Sequence, residues 1–266
     1  MADHVGLTGL PLSTAARTQT PPLVYIQAAL SILVGLIAII AFFRLVGTRL
    51  NTPPQAVWLS LLLYAAISIT VLAKLPTYSH ARFGPANVVT TLRSAIVAAI
   101  GGIVLAGQQF PHILSQDALW LVMGAAASVL FLDGCDGYLA RRYGTSSRYG
   151  ARFDMEIDAL LILLLSVAVF LTGKAGAWVL LIGLMRYGFL LGQMTFERLS
   201  GELADSRRRK AVCVAQGMAL CIGLAPAAHP RISALVLSFA LLSLILSFAV
   251  DTAYLWKQGR ETQNGS

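Results

Sequence analysis

Residues 155–173 read MEIDALLILLLSVAVFLTG. Two acids, Glu156 and Asp158, stand at its start, and from Ala159 to Gly173 no side chain is charged. A helix rises 1.5 Å per residue, so about 20 such residues cross a hydrocarbon core about 30 Å thick. Nothing in the stretch alternates as a barrel strand would. Seven further apolar runs flank it, at 23–43, 56–73, 88–107, 118–140, 175–196, 211–228 and 232–256. Backbone polar groups inside a bilayer must be satisfied within their own segment, so each run is expected to be a helix. The expected fold is all-α, a polytopic transmembrane bundle of about eight spans.

Composition agrees. Of the 266 residues, 57% are hydrophobic and only 12% charged, and the mean hydropathy is +0.73. A soluble domain carries about 25% charged residues; half that share cannot cover a water-facing surface. An ordinary cytosolic enzyme, a disordered chain and a nucleic-acid binder are excluded. The three cysteines form no CxxC pair and the four histidines show no zinc spacing. Residues 1–22 are polar and lack the basic, apolar and small-residue pattern of a removable signal peptide.

The net charge of +8 is read first as topology. With the N-terminus in the cytosol, fifteen Lys and Arg residues fall on cytosolic positions, Arg93 among them, and four (Arg44, Arg49, Lys174 and Arg231) fall opposite. Arg186 lies inside a span. The bias places the loops after the second, fourth and sixth spans in the cytosol. Residues 76–87 are too polar to cross and are expected at the interface, with Asn87 as an N-cap.

Five of the twelve acids crowd into one window: Asp133, Asp136, Asp154, Glu156 and Asp158. Acids in membrane segments are costly and mark function by default. Asp133, Asp136, Gly137, Ala140 and Arg141 share one helical face, and Gly150, Asp154 and Asp158 share a face of the next helix. Cys135 and Glu156 point away. The hairpin can therefore gather four carboxylates at the cytosolic ends of consecutive helices. Four like charges there repel unless cations neutralise them, and oxygen-only ligands select hard ions such as Mg²⁺, Mn²⁺ or Ca²⁺. Four acids suffice for two ions. The spacing is not that of an EF-hand loop.

Residues 133–158 also read D-x2-D-G-x2-A-R-x8-G-x3-D-x3-D, with all eight fixed positions filled across 26 residues. This resembles the signature of the CDP-alcohol phosphatidyltransferases. Just upstream, Asn87-Val88-Val89-Thr90 followed by Arg93 is similar to the start of that family's core. The resemblance implies a six-helix core, here 76–256. It is preceded by a polar segment (1–22) and two additional helices (23–75), about which it says nothing, and followed by a polar tail (257–266). It implies transfer of a phosphoalcohol from a CDP-alcohol, with CDP-diacylglycerol favoured, to an acceptor hydroxyl with release of CMP. It further implies two divalent ions, Mg²⁺ or Mn²⁺: Asp133 and Asp154 would bridge them, and Asp136 and Asp158 would complete one each. Asp158 would also take the acceptor proton. Asn87, Val88, Val89, Thr90, Gly137, Arg141 and Ser147 fall where the family holds CDP. Basic residues of later helices, here Arg186, Arg207 and Arg208, are candidates for the acceptor. The chain lacks the Lys-Ala-Arg-Ala-Glu run of inositol-phosphate members, which leaves glycerol 3-phosphate, serine or another alcohol open.

The expected protein is a multi-pass integral membrane enzyme with its site on the cytosolic face, in the inner (plasma) membrane if bacterial. Its partners are a CDP-alcohol lipid, a small hydroxyl acceptor and membrane lipids; no nucleic acid is expected, and the family allows a homodimer. Two alternatives stand beside it. One uses diacylglycerol as acceptor for a soluble CDP-alcohol. The other is a divalent-cation transporter, which would prefer acids near the midplane to acids at helix ends.

Overall fold

The computed structural model describes residues 21–77, 82–142, 148–196, 201 and 206–264, with the backbone alone at 135–141, 148 and 259–264. The expectations for residues 1–20 and for Ser147 lie outside the described residues. The described residues form eight α-helices: α1 (Pro22–Val46), α2 (Pro54–Lys74), α3 (Pro85–Ala106), α4 (Gln116–Arg142), α5 (Arg148–Leu171), α6 (Leu180–Thr195), α7 (Arg207–Leu224) and α8 (Pro230–Asn264). No strand occurs among the described residues. Each apolar run of the sequence maps onto one of them, the sixth opening with a 3₁₀ turn at Ala177–Val179. The α1, α2, α3 and α8 helices start with Pro, whose missing N–H falls where no intrahelical acceptor exists.

Among the described residues, six helices are long and apolar enough to cross a membrane. The α5 and α7 helices fall short of that measure because of their charged ends: Asp154, Glu156 and Asp158 on α5, and Arg207 to Lys210 on α7. The α8 helix runs on through Lys257 to Asn264, into the polar tail. Asn87 is not an N-cap. Gly84 holds that place with φ 77°, a conformation that favours glycine, and Asn87 sits in the first turn of α3, buried. Its Nδ2 donates to Phe83 O at 2.5 Å, a bond made to the preceding turn instead of to the helix start.

The α3 helix is the axis of the bundle. It packs against α1, α2, α4 and α5 and is buried along most of its length, through Val97, Ala98, Ile100, Ile103 and Val104. Its apolar face meets Leu161, Leu164 and Leu165 of α5 in one continuous core. Small residues permit this approach. A Cβ at Gly102 would collide with Ser60 Oγ and Ala56 O of α2, so the two backbones are nearly in contact. Around this core the outer faces are apolar. Leu33, Ile37, Trp58, Leu62, Phe131 and Phe239 are all exposed, as faces turned to lipid should be. At the end of the bundle away from the acids, Lys174 donates to the terminal carbonyls of α7, Leu224 O at 3.3 Å and Ala225 O. Burial pushes its ammonium below the usual lysine range.

Candidate active site

Helix geometry dictates where the acids go. Asp133 lies in the C-terminal third of α4, and Asp154 and Asp158, four residues apart, lie on one face of the first turns of α5. The faces of α4 and α5 that carry these acids are turned toward each other. One carboxylate oxygen from each of Asp133, Asp154 and Asp158 lies within 4.8 Å of the others. The three side chains are 27%, 31% and 18% exposed. The backbone carries Asp136, Gly137 and Arg141 onward in the same helix; their side chains lie outside the described residues.

A cation stands in the middle of these acids, and it comes from α3. The Arg93 side chain is fully buried. Its Nη1 lies 2.6 Å from Asp154 Oδ1 and 3.2 Å from Asp133 Oδ1, and its Nη2 donates to Asp158 Oδ1 at 2.5 Å. The guanidinium fork thus ties α3, α4 and α5 together at one end of the bundle, as its planar donor set allows. Sequence reading counted Arg93 among the loop charges that set topology. The available signal was its position: six residues after Asn87 and three after Thr90, it continues one face of α3.

The nucleotide-side candidates on α3 occupy the same end. Asn87 and Thr90 are buried, Val88 and Val89 half-buried. Thr90 Oγ1 donates to Ala86 O at 3.0 Å.

The later helices place their basic residues beside acids that the sequence did not pair with them. Arg186 Nη2 donates to Glu156 Oε1 at 2.8 Å. Glu156 therefore points away from Asp154 and Asp158, as the helical-face argument requires, and toward α6. The partner that Arg186 finds is Glu156, where sequence reading offered it only to the acceptor. Arg186 Nε is buried and makes no hydrogen bond among the described residues. Arg208 is held by α8: Nη2 donates to Asp251 Oδ1 at 2.5 Å, and Nη1 to Ser247 O at 2.7 Å and Ser247 Oγ at 3.1 Å. Asp251 is buried in that pair. Arg207 is exposed. The α7 helix, which carries Cys213, packs against α4 and α5.

The donor set fits a hard divalent ion. It is all oxygen, it already gathers around a positive charge, and its spread matches such an ion. Two ligands of one Mg²⁺ lie at most about 4.2 Å apart and those of Ca²⁺ roughly 5 Å, so the carboxylates need move little.

Compared with known families, the chain matches the model of CDP-alcohol phosphatidyltransferase over residues 83–250, from Phe83 just before α3 into α8. No functionally characterised protein and no solved structure matches it.

Proposed function

We propose a reaction for this chain on one premise: it belongs to the CDP-alcohol phosphatidyltransferase family, whose model covers more than half of its length. It is thus a multi-pass membrane enzyme that transfers a phosphatidyl group from a CDP-alcohol to an alcohol acceptor. Membership of an enzyme family sets aside the cation-transporter reading. The finer reading has CDP-diacylglycerol as donor, a small hydroxyl compound as acceptor and CMP as the product released. In it, α5 and α7 also cross the bilayer, with their charged ends and the site at the cytosolic face.

The division of labour follows from where the side chains sit. Asp133, Asp136, Asp154 and Asp158 would hold two ions, Mg²⁺ or Mn²⁺, which when bound neutralise the pyrophosphate and stabilise the attacking and leaving oxygens. Asp158 is the least exposed of the three described acids and the deepest along α5 from the loop. There its carboxylate can accept the proton of a hydroxyl arriving from within the bundle. As that oxygen bonds to phosphorus, the bond from phosphorus to the CMP oxygen breaks and CMP departs with the electron pair. Arg93 fixes the orientation of the Asp158 and Asp154 carboxylates, so Asp158 meets the hydroxyl in one geometry. Asn87, Val88, Val89 and Thr90 would line the nucleotide side from α3, and Gly137, Arg141 and Ser147 are the further candidates for the CDP moiety. Arg186, Arg207 and Arg208 remain the candidates for an anionic acceptor. Arg186 would be shared between Glu156 and the acceptor through the N–H face that Glu156 does not use.

The convergence of Asp133, Asp154 and Asp158 from two helices on one half-buried point carries this reading. Its test is release of CMP by the purified protein from CDP-diacylglycerol with Mg²⁺ or Mn²⁺, screened over glycerol 3-phosphate, serine and other alcohols. No CMP release with any acceptor, in protein shown to be folded, would reject the donor assignment.

A further inference from the structure

The α1–α2 hairpin lies before the matched residues 83–250. We infer that this hairpin is part of the active-site framework, and that Gln27 and Tyr149 are the positioning residues through which it sets the spacing between the α3 and α5 halves of the site. The inference rests on the reading of the acid cluster as the catalytic centre.

Each half of the site is tied to the hairpin at its root. On α5, Tyr149 directly precedes Gly150 and stands five residues before Asp154. Its ring is buried, and its hydroxyl donates to Val71 O of α2 at 2.9 Å, a buried bond between residues 78 apart in sequence. On the α3 side, Gln27 Oε1 of α1 accepts the Phe83 N–H at 2.9 Å. The Phe83 carbonyl in turn receives Asn87 Nδ2. Between these anchors lies one small apolar cluster, Val24, Ala28, Val71, Leu75, Phe83 and Tyr149, separate from the main core. Its members come from α1, α2, the segment before α3 and the start of α5. The hairpin is therefore the common support under both approaches to the site.

The lever arms are short. Five residues of helix place Asp154 about 7.5 Å from Tyr149 along the axis of α5. A tilt at the root reaches the carboxylate almost undiminished. Arg93 must then span from α3 to both Asp154 and Asp158 at bonding distance, so a change in the α3–α5 spacing is felt at once by two ion pairs. An ångström of misplacement can cost a catalytic group about a hundredfold in rate.

The test uses the full chain, purified in detergent, with Tyr149→Phe and Gln27→Met. Each keeps the side-chain volume and removes the bond. Tyr64→Phe is the control: it deletes a comparable bond, from Tyr64 to Ile32 O at 3.1 Å, inside the hairpin and away from both roots. Mn²⁺ affinity is read by electron paramagnetic resonance, so metal binding is measured whether or not the protein turns over. A wild-type chain that binds Mn²⁺ but releases no CMP would refute the proposed reaction while leaving the framework testable. Both root variants should bind Mn²⁺ several-fold more weakly and, with CDP-diacylglycerol, show kcat lower by about tenfold. KM for the donor should stay within about twofold and the melting temperature within a few degrees, while Tyr64→Phe should match wild type throughout. Wild-type Mn²⁺ affinity in both root variants would overturn the inference. So would losses that merely follow the melting temperature, or equal losses in Tyr64→Phe. Should Tyr149→Phe fail to fold, Gln27→Met decides the matter alone.

Discussion

Arg93→Met is the most direct test of the site's electrostatics. The substitution keeps a long side chain in the α3 core and removes the charge that Asp133, Asp154 and Asp158 share. Two carboxylate charges within 4.8 Å of each other repel by at least about 3.5 kcal/mol at an effective dielectric of 20. Partial exposure of the acids, 18–31%, reduces this through solvent screening. Breaking a buried pair by removing one partner costs about 3–5 kcal/mol. The lower end suits these half-covered acids. At about 2–4 °C per kcal/mol for a chain of this size, the variant should melt roughly 6–12 °C below wild type in chelator. A divalent ion supplies the missing charge, so Mn²⁺ should raise the melting temperature of Arg93→Met by several degrees more than that of wild type. Arg93→Lys should fall between, because one ammonium cannot reach three carboxylates as a guanidinium fork does. The assay is thermal unfolding of detergent-solubilised protein with chelator and across a Mn²⁺ series. If Arg93→Met melts with wild type in chelator and gains nothing extra from metal, the acids are not held by Arg93 and the geometry is wrong.

Other expectations follow from the same contacts. Asp133→Asn, Asp154→Asn and Asp158→Asn should each cut CMP release by at least about a hundredfold, whereas Glu156→Gln, which faces α6, should keep most of it; a dead Glu156→Gln would refute the facing assigned to α5. Gly102→Val drives a branched side chain into Ser60 and Ala56 of α2, and overpacking of this kind costs about 1–3 kcal/mol or more. Its yield of folded protein should drop, and wild-type expression and melting would contradict the close α2–α3 approach. Arg208→Met leaves the Asp251 carboxylate buried without its partner and should destabilise by about 3 kcal/mol. Arg208→Met/Asp251→Leu should recover part of that loss in a double-mutant cycle, and strict additivity would show that the pair is not coupled.

Much of this protein is legible along the chain. Hydropathy is a local property, and a span must satisfy its backbone within itself, so all eight helices and most of their ends follow from runs of apolar residues. The paired acids are legible for a similar reason: Asp133 with Asp136, and Asp154 with Asp158, repeat at helical spacing within single segments, and only one short loop separates the two faces. Helix starts are less so. Asn87 has the chemistry of a cap, but Gly84 adopts the positive φ and the helix begins before Asn87 can serve. What tertiary structure alone decided is how charges are matched across helices. Arg93 looks like a loop cation until α3 is packed into the centre of the bundle, where it meets acids 61 and 65 residues away. Arg186 finds Glu156, and Arg208 finds Asp251, by the same kind of meeting. The α1–α2 hairpin, unread by any motif, takes its place because Gly102 lets α2 lie against α3. An unpaired charge in a membrane is expensive enough that each of these residues needs an opposite partner. Sequence states that need through composition and spacing. Which partner meets it depends on the rotation and depth of helices that only packing sets.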